Sequence, residues 1–173
     1  AGEWFNYVNF TVNTLDVFTI KSLYSTGVSV NAALYITMNG GKADLGVMNL
    51  QAAAQGGSGL DLDGTGNVNF QSIDNGHISH LAGTSTTYPL RVVFDYIKTG
   101  YAGGACIAVG SESLICQIKG NRLITAGTNA ITSASAKSLY MAPGCETNVA
   151  TANITDANTT LLGNSIEYRS DLH

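Results

Sequence analysis

Apolar and polar positions alternate with a period of two along much of this chain, and the cleanest run is residues 28–38. Val28, Val30, Ala32, Leu34, Ile36 and Met38 fall on one side, against Ser29, Asn31, Ala33, Tyr35 and Thr37 on the other. Successive side chains of a strand point to opposite faces, so this alternation predicts a half-buried strand. Val8, Phe10 and Val12 predict an earlier strand within residues 3–12, and Phe18, Ile20 and Tyr24 another over 17–24. The densest apolar stretch is 88–124, where Leu90, Val92, Phe94 and Tyr96 alternate with Arg91 and Asp95. Two shorter runs, ACIAV and SLICQIK, then flank Gly110-Ser111-Glu112. Read as a three-residue hairpin loop, that bend sets Val109 against Ser113 and Cys106 against Cys116. The whole stretch predicts the core of a sheet.

Residues 43–55 hold the best candidate for a helix, because Leu45, Met48 and Ala52 can share a helical face despite Gly46. Residues 60–70 read as a hairpin, with Leu60/Leu62 and Val68/Phe70 alternating around Asp63-Gly64-Thr65-Gly66. Beyond Ile124 the chain turns to Thr, Ala, Asn, Ser and Gly, which predicts polar edge strands and long loops without an aligned repeat. A last alternating strand spans 165–169. Together these elements predict one all-β domain over residues 1–173, a two-sheet β-sandwich of about ten strands with at most one short helix. Jelly-roll, Greek-key and immunoglobulin-like strand orders all fit the pattern.

Composition adds habitat. Charged residues make up 12% of the 173, about half the usual quarter, and 20 Gly with abundant Thr, Asn and Ser take their place. A free monomer ordinarily carries a more charged surface, so the expectation is a surface covered by copies of the chain or by glycans. The net charge of −4, without a basic cluster, argues against nucleic acid as a partner. No apolar run approaches the roughly 20 residues of a membrane-spanning helix. The start at Ala1, leading at once into a strand, suits a secreted chain trimmed of a signal peptide.

Candidate chemistry is sparse. Three cysteines cannot all pair within one chain. The hairpin reading favours Cys106–Cys116, and Cys116–Cys145 is the competitor. Asp61, Asp63, Thr65, Gly66 and Val68 resemble the opening positions of an EF-hand calcium loop, which gathers oxygen ligands around a glycine turn. The twelfth position, where such a loop carries a bidentate Glu, is Ser72. Calcium at Asp61, Asp63 and Thr65 is therefore the one cofactor to look for. Asp61 and Asp63 also point the same way on a strand, as a hydrolytic carboxylate pair would. His77 and His80, three apart, would face opposite sides of a strand rather than one metal. Sequons stand at Asn9, Asn153 and Asn158. No Gly-x-Ser-x-Gly motif or phosphate loop is present.

The expected function is that of a non-enzymatic, extracellular structural subunit polymerising into a pilus- or fibre-like surface filament. The strand in residues 1–12 either joins the domain's own sheet or, in this assembly, serves as a donated strand, with Trp4, Phe5, Tyr7, Val8, Phe10 and Val12 making the subunit contact. The alternatives are a carbohydrate-binding adhesin or lectin module, with Trp4, Tyr24, Tyr35, Tyr88 and Tyr101 as stacking platforms and Tyr101, next to glycines, the one expected to be exposed, and a viral capsid or fibre protein.

Overall fold

The computed structural model describes residues 8–25, 34–50, 59–100, 103–133, 138–149, 154–155, 161–162 and 166–172. Among them are fourteen strands and no helix. In chain order these are β1 (Val8–Asn13), β2 (Val17–Ser25), β3 (Leu34–Leu50), β4 (Leu60–Asp74), β5 (Ile78–Gly83), β6 (Leu90–Thr99) and β7 (Ile107–Val109). They continue as β8 (Ile115–Thr125), β9 (Ile131–Ser133), β10 (Ser138–Met141), β11 (Cys145–Thr147), β12 (Ile154–Thr155), β13 (Leu161–Leu162) and β14 (Ile166–Tyr168).

Each pairing among these strands is parallel. The chain winds as a β-solenoid of about five turns, and each strand lies against the equivalent strand of the next turn. Ile20, Leu45, Phe70, Phe94 and Gly120 are successive register partners, 25, 25, 24 and 26 residues apart. A second series runs Leu34, Leu60, Ile78, Ile107 and Ile131, with steps of 26, 18, 29 and 24. Loops of unequal length absorb the difference.

Burial divides each turn into three faces. In β3, Leu34, Ile36 and Met38 point inward, then Ala43 and Leu45, then Met48 and Leu50. Between the second and third sets, two consecutive positions, Gly46 and Val47, leave the interior. Asp95-Tyr96 and Asn121-Arg122 do the same two and three strands along the ladder. In the next turn the break is complete, and Pro143-Gly144 separates β10 from β11. A strand that puts two neighbours outside must bend, and each bend is a corner of the solenoid. The first corner is turned by glycine: Gly40, Gly64 and Gly66 adopt φ of +87°, +109° and +135°, where a side chain is strained. Gly46 is required at the second corner by space, since a Cβ there would lie 1.9 Å from the Lys21 carbonyl oxygen.

Inward residues stack on their register partners to form one continuous core, including Leu34, Leu60, Ile78 and Ile107 on the first face and Met48, Ile73, Ile97 and Leu123 on the third. Phe70 and Phe94 stack with centroids 5.2 Å apart and planes 8° from parallel.

These observations correct several expectations. The two-sheet sandwich is replaced by a solenoid, because the glycine corners bend the chain onward around an axis instead of reversing it. The hairpin over 60–70 is part of one bent strand, β4, whose halves pair with different neighbours. Of the helix expected over 43–55, residues 43–50 are strand, and 51–55, with Ala52, lie outside the described residues. The three-residue spacing of Leu45 and Met48 that suggested a helical face is the double outward step at a corner. The hairpin joining Cys106 to Cys116 is also absent: β7 pairs with β5 and β9, whereas Cys116 in β8 lies beside Leu90 and Leu139. Cys106, Cys116 and Cys145 are all free, buried thiols.

Candidate functional site

Asp61 and Asp63 both face outward on the first face of the solenoid, as their strand spacing requires. Register then decides their surroundings. Asp61 lies beside Tyr35 of the preceding turn and His80 of the following one, and Asp63 beside Thr37 and Ala82. The Ser79 hydroxyl donates to Asp61 Oδ1 at 2.6 Å, and the Tyr35 hydroxyl donates to Asp63 Oδ2. His80 Nε2 lies 2.6 Å from Glu112 Oε1 and 3.3 Å from Asp63 Oδ1; the Asp63 contact is an ion-pair distance without hydrogen-bond alignment. Six side chains from three successive turns and a corner loop thus form one outward network.

Its titration follows from that packing. Burial raises the Asp61 carboxyl above its ordinary value, against the opposing Ser79 bond. The hydrogen bond to Asp63 raises the Tyr35 phenol. Glu112 is held low, first by its own backbone amide. The carboxylates of this network are engaged with hydroxyl and imidazole groups across turns, an arrangement suited to fastening one turn to the next. Among the described residues no group of three or more His, Cys, Asp or Glu is arranged to hold a metal ion. Thr65, the third residue of the proposed calcium turn, lies beyond Gly64 and lines a different cleft, with Asn39, Asn67 and Tyr88. His77 and His80 also part company. His77 is buried in a cleft with Ser79 and Asn129, where burial lowers its pKa, while His80 belongs to the outward network.

The first turn is the other feature bearing on function. β1 pairs in parallel with β3 of its own chain, so Val8–Asn13 completes this sheet. Among the described residues β1 and β2 have no other strand partner. Val12 is buried, but Phe10, Phe18, Ile20 and Leu23 are only partly buried although they point into the core. Phe10 and Phe18 rest on each other, centroids 4.4 Å apart. Trp4, Phe5 and Tyr7 lie outside the described residues, as do Asn153, Asn158 and Tyr101; Asn9 is exposed.

The thiols are chemically quiet. Burial pushes Cys145 up to about 12, raises Cys116, and raises Cys106 further still with the Cys145 thiol adding to it. Sequence reasoning missed Tyr35, Ser79 and Glu112 as partners of the aspartates. A turn length of about 25 residues was a signal for Tyr35 alone, which it brings beside Asp61; Ser79 stands only 18 residues from Asp61, and Glu112 comes from a corner loop. No protein-family model matches the chain, and neither a curated protein nor a solved structure matches it.

Proposed function

We propose that this chain is a non-enzymatic structural module, acting outside the cell, that joins copies of itself end to end into a fibre-like surface assembly. The observation that carries the reading is the first turn: β1 and β2 pair on one side only among the described residues, and Phe10, Phe18, Ile20 and Leu23 are incompletely covered. An open parallel edge over apolar side chains is a template for another strand row. The neighbour would continue the solenoid, supplying backbone hydrogen bonds to β1 and β2 and inward side chains to the four apolar residues. The subunit contact is then an end of the solenoid rather than a strand given away, since Phe10 and Val12 already pack on their own core. An absence of enzymatic activity is favoured by the outward carboxylates, which are engaged across turns. An extracellular setting rests on the exposed Asn9 sequon, and burial makes the three free thiols compatible with it.

The test compares wild type with a Phe18→Lys/Ile20→Lys variant by sedimentation velocity and negative-stain electron microscopy. Wild type is expected to form end-to-end oligomers that lengthen with concentration. The variant is expected to remain monomeric with the same far-UV circular dichroism, its ammonium groups reaching solvent past the open end. A wild-type protein that stays monomeric at all concentrations, or a variant that assembles equally well, contradicts the proposal.

A further inference from the structure

One corner of the solenoid carries a six-residue loop over two tight glycine corners. Where the second and third turns round the first corner tightly, at Asn39-Gly40-Gly41 and Gly64-Thr65-Gly66, the next turn inserts residues 84–89 between β5 and β6. This loop is pinned. The Thr84 amide donates to the Gly64 carbonyl at 3.1 Å, and the Gly66 amide donates to the Pro89 carbonyl at 3.2 Å. Within the loop, Ser85 Oγ accepts from the amides of Thr87 and Tyr88, at 3.0 and 3.1 Å. The pinned loop holds Tyr88 70% exposed, among the most exposed large side chains described.

Tyr88 and Pro89 wall a cleft of about 500 Å³ that runs across the tight corners of the two preceding turns. Gly40 and Gly66 line it without side chains, and its remaining groups are Thr14, Thr65 and Thr87, the amides of Asn39 and Asn67, and Arg91. Both positions favour glycine: each has a positive φ, a Cβ on Gly66 would lie 2.6 Å from the Gly41 carbonyl oxygen, and one on Gly40 2.8 Å from Thr14 Oγ1. The cleft lies within the roughly 300–1,000 Å³ range of small-molecule sites. It combines a flat aromatic face with neutral donors and acceptors, no carboxylate, and a single cation whose Nε already donates to Gln117 at 2.8 Å.

We infer that this cleft binds a neutral oligosaccharide, a sugar ring stacking its C–H face on Tyr88 while its hydroxyls bond to Asn39, Thr65, Asn67 and the Arg91 guanidinium. An aromatic body with a polar rim suits a ligand that is apolar on one face and hydroxylated around its edge. A phosphate-bearing ligand would need more positive charge than one guanidinium supplies. The inference is independent of end-to-end association, because every lining residue comes from one chain.

The test is an ¹⁵N–¹H titration of the labelled protein with cellotriose, chitotriose, maltotriose and mannotriose, and with inorganic phosphate in parallel. At least one trisaccharide is expected to give saturable shifts confined to the amides of residues 39–41, 65–67 and 87–91. Tyr88→Ala should weaken that binding by at least about tenfold and Asn67→Ala by about threefold, with the remaining amides unmoved. The inference is overturned if no trisaccharide shifts these amides, if Tyr88→Ala binds as tightly as wild type, or if phosphate alone reproduces the shifts.

Discussion

Asp61 shows how a single side chain takes its properties from the turn above and the turn below. Its carboxylate is desolvated by its neighbours and receives one hydroxyl bond from Ser79, and the balance raises its pKa above the ordinary 3.8. A carboxyl whose folded pKa is raised binds its proton more tightly in the native state. Stability therefore falls as pH rises from the unfolded value through the folded one, and stays lower above it. Asp61→Asn keeps an acceptor for Ser79 and removes the buried charge, so the variant should melt higher than wild type at pH 7. That advantage should fade as the pH drops below the ordinary carboxyl value, where wild-type Asp61 is neutral in both states. Equal melting temperatures at pH 7, or a gap that widens on acidification, would contradict this account.

At the scale of the strand, the unit of stabilisation is the stack of register partners. The column Phe70, Phe94, Gly120 is the clearest case. The Phe94 ring occupies the space that a side chain at Gly120 would need, since a Cβ there would lie 2.2 Å from the ring. Gly120→Ala should destabilise by about 1–3 kcal/mol through overpacking, and Phe94→Leu by a similar amount through lost volume. The double variant should recover about 1 kcal/mol or more of the sum, because the smaller side chain makes room for the methyl. Additivity in chemical denaturation would show that the two positions do not share one space. The alternation in 34–38, 90–97 and 116–124 was legible in sequence because inward and outward positions differ in polarity. The direction of pairing was not. Gly64 and Gly66 read as a hairpin turn because glycine permits both a reversal and a corner, and Leu45–Met48 read as helix because a corner imitates a three-residue period. Asp61 and Asp63 were visible as an outward pair. Their partners were hidden by a turn length that varies from one face to the next.

At the scale of the molecule, winding explains a composition first read as a sign of a covered surface. In a parallel stack each outward side chain lies about 4.8 Å from its register partner in the next turn, where like charges repel. The outer faces instead pair charge with neutral amide: Asn69 donates to Asp44 at 2.9 Å, Asn121 to Asp95 at 3.2 Å, and Arg91 to Gln117 at 2.8 Å. A solenoid therefore favours Asn, Thr, Ser and Gln outside, and low charge needs no covering partner to account for it. What a partner would explain is the one-sided pairing of β1 and β2 among the described residues. Both the proposed end-to-end assembly and the Tyr88 cleft depend on in-register winding, which distances between turns test most directly. Spin labels at Thr19 and Val93, three register steps apart, and at Thr19 and Lys119, four steps apart, sit on one exposed column. The buried, high-pKa native thiols stay unlabelled. Pulsed electron–electron resonance should give backbone separations of about 14 Å and about 19 Å, rising by one strand spacing per turn although the second pair is 100 residues apart in sequence. Separations that do not increase by about 5 Å from the first pair to the second, or that exceed about 30 Å, would contradict the solenoid and the functional readings built on it.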